Sequence, residues 1–440
     1  MGWTLVLTAL LLVALVPLAL SGNRKLTQWV DSSHFQWMLG RETSKGLKLE
    51  GTYTPLARTG FLGLATDSFS GAKGKRTIVS LEAHGITGWF NPFGILLRRW
   101  QIEDIHLKSG VVHLQKTEPT EGAPPQPSRP LWALFLPNRV YLADVKVDDA
   151  NILWELKNQE SGIYHTFLEI TPNGRDFEYD AHGGEFRDPL TPAFQVRHAH
   201  VLIRKPRLYC SDFFLGDDDN HPDRGVRCEG DAGLQQDRSI HLKIDLLSLK
   251  IAALLAPNLR SHLLGLANGH FNYTSTGTGL ESAQGQGSLA VADGVLHALP
   301  PLRHYFAVTG TPDPGDLSLK VCQTDLEWKQ GAISAKNLKI ESEGVFRLEG
   351  NVTVAGNHSL SGELQLGVTD PYIHWLPTAR QVIFTRDDGP YHFRTIHLSG
   401  TLQKPQQDLS DRVSHEVAKS PLLAVKLFFN QVGDWFNFKD

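Results

Sequence analysis

The sequence of 440 residues lacks most of the features on which catalysis or nucleic-acid binding depends. Its formal net charge is −4, which argues against a nucleic-acid binder, because such a protein needs a basic stripe. With two methionines, it offers no methionine-rich adaptable surface. We find no Gly-x-Ser-x-Gly nucleophile turn, no phosphate-binding glycine loop and no His-Glu-x-x-His pair. We therefore predict that the protein is not an enzyme and uses no cofactor.

Cysteine is also scarce, with three residues in the chain. Cys210 and Cys228 bracket an acidic loop at 212–227. In an exported protein this pair could form a disulfide, and two reduced, partly buried thiols fit the sequence equally well. His198 and His200 lie two apart on a predicted strand near this loop, so they share a side of it. Spacing places no third ligand, so we interpret the run as a solvated acidic loop and predict no metal site.

Charge is absent from residues 2–20, where Leu, Val and Ala dominate. About 20 apolar residues suffice for a helix to cross a bilayer. No basic residue precedes the run and its small-residue cleavage motif is poor, so residues 1–22 are expected to be a membrane anchor, with a cleaved signal peptide as the alternative. Arg24 and Lys25 follow the run, and by the positive-inside rule they favour a cytoplasmic location for what comes after.

The C-terminal half reads as a ladder of short segments with period-two alternation. Residues 285–296 and 326–333 are two of these segments. On the next two, the apolar side chains keep one parity: Phe346, Leu348, Val352 and Val354, then Leu360, Leu364, Leu366 and Val368. Alternation bounded by Asp-Gly, Gln-Gly and Gly-Asn predicts strands joined by tight turns. Many such strands in succession form a long sheet with one apolar face.

An internal repeat and a linker organise the first half. Residues 101–107 align with 141–147, and 112–114 align with 152–154, so a strand, a tight turn and a strand recur in the same phase. The segment 117–130 between the copies contains five prolines, which predicts an exposed excursion.

Helices are predicted at three places. Residues 21–60 begin as a juxtamembrane helix that passes into a first strand, and we expect its Trp29, Phe35, Trp37 and Met38 to pack inside the protein rather than at a membrane interface. Residues 246–266 have a broad apolar stripe. The tail at 406–440 ends in a very apolar run that either caps the sheet or lies in a membrane interface.

The order of the motifs resembles the AsmA-like family of bacterial envelope proteins. Its C-terminal part is matched by Gly-x-Gly-x-Leu-x-Val-x-Asp-Gly at 285–294, x-Gly-x-Ile at 330–333 and Leu-Ser-Gly-Thr-Leu-x-x-Pro at 398–405. Residues 86–112 resemble the family's opening block. The resemblance implies a mainly β protein: an elongated, curled antiparallel sheet that forms an apolar groove, with an N-terminal membrane helix and a few short helices.

From these patterns we divide the chain into six parts. They are the membrane anchor 1–22, an N-terminal β block 23–116, the proline-rich linker 117–130, a middle β repeat region with the acidic loop 131–245, a C-terminal β ladder 246–405 and a helical tail 406–440. The resemblance implies a single-pass anchor in the bacterial inner membrane with the large domain in the periplasm, which is opposite to the orientation that Arg24 and Lys25 favour.

The resemblance further implies a role in envelope lipid homeostasis, in which phospholipid is held in the apolar groove or transferred between the inner and outer membranes. Burial of an acyl chain there would contribute about 0.8 kcal/mol per CH2 group. The eight same-parity residues from Phe346 to Val368 are the predicted lipid-binding groove. Expected partners are phospholipid, the inner membrane and an outer-membrane or periplasmic protein, but no nucleic acid. The alternative is a structural or regulatory factor for outer-membrane protein assembly, with a groove filled by its own side chains.

Overall fold

The structure is a computed structural model of the 440-residue chain. It describes residues 25, 27–60, 62–74, 78–96, 99–114, 140–156, 159–174, 176–189, 191–204, 207–218, 220–233, 239–255, 260–276, 282–297, 311, 313, 315–374, 383–401 and 404–408. About 70% of these residues lie in strands and 10% in helices, and antiparallel pairing dominates. The predicted mainly β class is confirmed. The strands fall into two compact units, Met1–Arg204 and Lys205–Asp440, called unit 1 and unit 2 below.

In its described residues, unit 1 has eleven strands and two helices with complete bounds, α1 (Ser33–Leu47) and the short α2 (Phe93–Leu96). Residues 25 and 27–30 are also helical. The strands are β1 (Glu50–Tyr53), β2 (Ala57–Thr59), β3 (Gly63–Ala72), β4 (Ile78–Asn91), β5 (Trp100–Leu114), β6 (Val140–Leu142), β7 (Val145–Leu156), β8 (Gln159–Asn173), β9 (Asp176–His182), β10 (Glu185–Arg187) and β11 (Phe194–Arg204). β3, β4 and β5 pair antiparallel, as do β7 and β8, and β8 pairs with β9 and β10.

The two copies of the internal repeat lie side by side. β5 pairs with β6 and β7 in parallel, so that Gln101 faces Tyr141 and Ile105 faces Val145. The register is offset by the 40 residues that separate the aligned sequences. Asp104 and Asp144 occupy the same left-handed conformation in the two copies, with φ of 47° and 52°. The repeat is therefore confirmed, and it introduces a parallel junction that the expectation of an antiparallel sheet did not include.

The core of unit 1 forms where α1 covers the sheet. The helix begins after Ser32, whose Oγ accepts a hydrogen bond from the Phe35 N–H at 3.3 Å. Phe35, Met38 and Leu39 then follow at helical spacing and pack against strand residues such as Trp100. Phe35 and Trp100 are each 1% exposed, and their rings meet edge to face at 5.4 Å between centroids.

This core also contains Trp29, which is buried, with Trp37 partly buried against it. The prediction that the N-terminal aromatic cluster packs inside the protein is confirmed.

Unit 2 is a succession of hairpins. Its strands are β12 (Arg207–Gly216), β13 (Gly225–Gly233), β14 (Ile240–Lys250), β15 (Leu263–Ser275), β16 (Ala283–Leu296), β17 (Leu317–Leu319), β18 (Val321–Lys329), β19 (Ala332–Ser342), β20 (Phe346–Val354), β21 (Leu360–Thr369), β22 (Arg386–Asp388), β23 (Tyr391–Gly400) and β24 (Pro405–Gln407). Ten long strands, β12–β16, β18–β21 and β23, pair antiparallel in chain order. A short helix, α3 (Asp370–Ile373), follows β21.

The helix predicted at 246–266 is wrong. The region contains the end of β14, a single 3-10 turn at Ile251–Ala253 and the start of β15. A β-bulge lies between Leu246 and Leu249, where Ser248 has a φ of 46°. The bulge returns Leu249 to the face of Leu246 after three residues instead of two. Apolar side chains three apart are also typical of a helix face, which explains the mistaken interpretation.

Three predicted segments lie outside the described residues: the anchor at 2–20, the linker at 117–130 and the tail from 411. In the part of the chain that the structure describes, no helix is long and apolar enough to cross a membrane.

Candidate functional site: the apolar face of unit 2

The strand register brings the eight predicted groove residues onto one face of the sheet. Residues directly opposite each other on paired strands point to the same side. Phe346 lies opposite Val368 and Leu348 opposite Leu366, while Val354 faces Leu360. The remaining two, Val352 and Leu364, lie opposite Gly362 and Gly350. The parity read from the sequence thus matches the pairing of β20 with β21.

This surface continues across unit 2, and we call it the apolar face. One row of directly opposed residues runs from β13 to β23: Cys228, Ile244, Phe271, Gly287, Leu326, Ala335, Val352, Gly362 and Leu398. Each step of the row is a register pair, so the nine residues share one side, with seven side chains and two glycines. The row contains no charged residue.

The opposite side of the same strands is polar. The neighbouring row reads Lys243, Asn272, Gln286, Glu327, Ser334, Thr353 and Ser361. Its members pair across strands, as in the 2.9 Å hydrogen bond between the hydroxyls of Ser334 and Thr353. Lys336, on the same strand as Ser334, forms an ion pair with Glu327. Along these two rows, unit 2 therefore has one polar side and one side from which water would be displaced favourably, although Phe214, Tyr391 and Phe393 are buried on the polar side.

The apolar face is only half covered. All eight groove residues have intermediate exposure, and none belongs to the buried core. Ile333, which lies opposite both Trp328 and Val354, is 43% exposed. Burial is deeper towards both ends of the strands, at Leu249, Ala267 and Val291 and at Ser275 and Ala283.

Glycines leave room for large side chains on this face. Gly285 lies between Tyr273 and Trp328, whose rings approach to 5.9 Å between centroids. A Cβ atom at Gly287 would come within 2.5 Å of Cδ1 of Phe271. Alternating glycine and aromatic residues therefore give the face an uneven relief rather than a flat layer.

All three cysteines lie on the apolar face. Cys210 is opposite Gly230, Cys228 is opposite Ile244, and Cys322 is opposite Ile340. They are free thiols in the structure, with Cys210 Sγ 3.8 Å from the carbonyl oxygen of Cys228. Burial, followed by the neighbouring Cys228 and Asp212, raises the pKa of Cys210 to about 11. The Cys210–Cys228 disulfide stays a prediction for an oxidising compartment.

Arg394 places a formal charge on the apolar face. This residue lies opposite Leu366, and its row continues through Leu348 and Ile340 to Cys322. Among the described, paired residues of the ten long strands, no other Arg, Lys, Asp or Glu has this orientation. The Nε atom of Arg394 is buried and has no hydrogen-bond partner.

His392 shares the parity of Arg394 but is fully engaged. Its Nδ1 lies 2.5 Å from Asp387 and its Nε2 lies 3.0 Å from Asp370. The two carboxylates hold the ring in place, so both are engaged with His392 and not with Arg394.

Of the acidic loop predicted at 212–227, residues 212–216 and 225–227 belong to β12 and β13, and the protein's own groups hold Asp218 between them. Asp218 accepts hydrogen bonds from the Asn220 N–H at 2.9 Å and from the Lys250 ammonium at 3.0 Å. These bonds hold the pKa of Asp218 well below its usual range. On β11, His200 Nδ1 lies 2.6 Å from Asp180. Within the described residues, no three His, Cys, Asp or Glu side chains converge in a metal-binding arrangement.

A backbone-to-asparagine hydrogen bond that recurs at β-bulges was not recognised from the sequence. In three strand pairs the backbone N–H of a residue with positive φ donates to an asparagine Oδ1 on the neighbouring strand. The pairs are His165 with Asn151, Ser248 with Asn268, and Asn337 with Asn351, at 3.1, 2.9 and 3.0 Å. The spacing of each pair, 14 to 20 residues, was the available signal. The first pair is in unit 1 and the other two are in unit 2.

No protein-family model, curated protein or solved structure matches this chain. The AsmA-like resemblance accordingly stays a prediction from the motifs.

Proposed function

We propose that the protein holds or transfers phospholipid, with acyl chains lying on the apolar face of unit 2. The observation that carries this proposal is the combination of a continuous apolar row over nine strands with side chains that remain partly exposed. An exposed apolar patch of this kind marks a surface that a partner covers. Each acyl CH2 group covered there contributes about 0.8 kcal/mol.

The proposal extends to the setting implied by the AsmA-like motifs. We propose a membrane-anchored protein of the bacterial envelope, with residues 2–20 in the inner membrane and both units in the periplasm. A curled sheet would turn the apolar face into a groove, leaving the lipid head group at the wet rim. Transfer along such a groove requires no nucleotide, which accords with a sequence that lacks a phosphate-binding glycine loop.

Lipid extraction from the purified full-length protein tests this function. We expect phospholipid to copurify with the wild-type protein and to fall in Leu364→Arg, because that substitution places a charge on the apolar face. Gln365→Arg is the matched control, since residue 365 lies opposite Glu349 on the polar side. Wild-type protein free of lipid, or equal lipid in the two variants, would contradict the proposal and favour a structural role in outer-membrane protein assembly.

A further inference from the structure

Arg394 is out of place in a purely apolar surface. Burying an unpaired cation costs free energy, so arginine is almost never left unpaired in apolar surroundings. Arg394 is partly exposed, its Nε is shielded from solvent, and no described residue forms an ion pair or a hydrogen bond with it. By contrast, Arg347 on the polar side of β20 lies within 3.3 Å of Glu341 and 3.5 Å of Asp388.

The residues around Arg394 indicate which kind of ligand could pair with its guanidinium. Across the strands lie Leu366, Leu348 and Ile340, so a ligand that reaches the guanidinium must also cover an apolar row. On its own strand Arg394 stands between Ile396 and His392, and the two carboxylates of this region are already bound to His392. A ligand that pairs with this partly exposed guanidinium and also covers the row therefore needs an anionic group attached to an apolar body.

We propose that Arg394 binds the phosphate of a lipid whose acyl chains lie along the row of Leu366, Leu348 and Ile340. A guanidinium presents paired N–H donors that match phosphate oxygens. The inference rests on the proposed function and adds a residue that holds the head group of the lipid in place. It predicts that the protein distinguishes a phosphate-bearing lipid from a neutral lipid with the same chains.

Equilibrium binding of two soluble short-chain probes to the full-length protein tests the inference. Dioctanoyl phosphatidylglycerol and dioctanoylglycerol have the same acyl chains, and only the first has a phosphate. We expect the wild-type protein to bind the phosphate lipid about tenfold more tightly, as for a charge-assisted hydrogen bond. Arg394→Gln should remove this preference and leave the affinity for dioctanoylglycerol unchanged, while Arg394→Lys should keep part of it.

Arg386→Gln is the matched control. It removes the same charge from the adjacent strand, but Arg386 lies opposite Phe393 and stacks on its ring, on the other side of the sheet. This variant should keep the wild-type preference. Because no described residue forms an ion pair or a hydrogen bond with Arg394, Arg394→Gln should also fold and melt at or above the wild-type temperature. A large fall in melting temperature would show that the protein itself satisfies the guanidinium and would overturn the inference.

The binding outcomes separate the two proposals. If both lipids bind with equal affinity, or if Arg394→Gln keeps the preference, the role of Arg394 is overturned and the lipid surface stands. If neither lipid binds, the apolar face is covered by the protein itself or by a second copy, and both proposals fall together.

Discussion

The two units bury their apolar strand residues to different extents. In unit 1, α1 lies against the sheet and produces a dry core in which Phe35, Met38 and Trp100 are at most 1% exposed. In unit 2, the groove residues from Phe346 to Val368 remain half-exposed on a longer apolar face. Similar strands with similar alternation thus have different surroundings. The comparison teaches that period-two patterning defines an apolar face but does not determine what covers it.

The largest expected difference comes from placing the same charge in each unit. Leu39→Arg should cost unit 1 about 3–5 kcal/mol, because an unpaired cation would lie in a closed core. Leu364→Arg should cost less than about 1.5 kcal/mol, because a long side chain on a half-open face can extend its guanidinium to water. Thermal unfolding followed by circular dichroism measures both, with Gln365→Arg as the control. Equal losses in the first two variants would show that the apolar face of unit 2 is also a closed core.

The cysteines report on unit 2 alone, since unit 1 has none. The thiolate is the reactive form, and burial raises the pKa of Cys210, Cys228 and Cys322. We expect the reduced, folded protein to react with a thiol reagent at pH 8 at least about tenfold more slowly than the denatured protein. Rapid labelling of all three thiols would contradict their placement.

The same labelling tests the sequence-based disulfide. Protein unfolded without reductant should label at Cys322 alone if Cys210 and Cys228 are joined in an exported protein. Three labels would remove the disulfide and weaken the predicted periplasmic location.

Loss of one of the asparagine hydrogen bonds at the β-bulges should destabilise both units by similar amounts. This effect does not depend on how far the apolar strand residues are covered. Asn151→Ala in unit 1 and Asn351→Ala in unit 2 each remove an acceptor from a backbone N–H. Each should cost about 1 kcal/mol in denaturant unfolding. The corresponding Asn→Asp variants keep an acceptor oxygen and should cost less. Losses that differ several-fold between the units would show that the two bulges are not equivalent.

The smallest expected effect is a difference between two carboxylates, Asp144 and Asp245, in how they make stability depend on pH. In unit 1, desolvation and then Asp104 raise the pKa of Asp144. Its contribution to folding is favourable when it is protonated and is lost as pH rises through the raised value. In unit 2, the hydrogen bond from His270 lowers the pKa of Asp245, so its contribution is present above the ordinary value of 3.8 and is lost as pH falls through the lowered value.

At pH 7, Asp144→Asn should therefore stabilise the protein slightly and Asp245→Asn should destabilise it, each by a few tenths of a kcal/mol because both carboxylates are partly solvated. Below pH 3 the difference for Asp245→Asn should shrink. Melting curves between pH 2.5 and 7 measure this. A shift of the opposite sign for either variant would contradict the assigned cause.

The alternation of the sequence was sufficient to predict which residues share a face wherever a strand contains no bulge. The parity of Leu348 and Leu366 was readable because no bulge intervenes on β20 or β21, and their pairing followed from the short turn between them. The repeat offset of 40 residues equals the register of β5 with β7, but neither the pairing of the two copies nor its parallel direction was predicted.

Prediction failed where the backbone departs from regular geometry or where partners are distant in sequence. The bulge at Ser248 made a strand resemble a helix. The isolation of Arg394 depends on which carboxylates surround it, and Asp370 and Asp387 are recognised as partners of His392 only in three dimensions. How deeply α1 covers unit 1 also depends on tertiary packing, which strand periodicity does not encode.

Photocrosslinking with a diazirine-bearing phospholipid tests most directly whether the apolar face of unit 2 holds lipid. The full-length protein would be irradiated with the bound probe, and the modified residues located by mass spectrometry of its peptides. We predict crosslinks at Leu348, Val352, Leu364 and Leu366, which share the apolar side, with few at Glu349, Gln365 or in the α1 core of unit 1. Crosslinks divided equally between the two sides of β20 and β21, or concentrated in unit 1, would contradict the account.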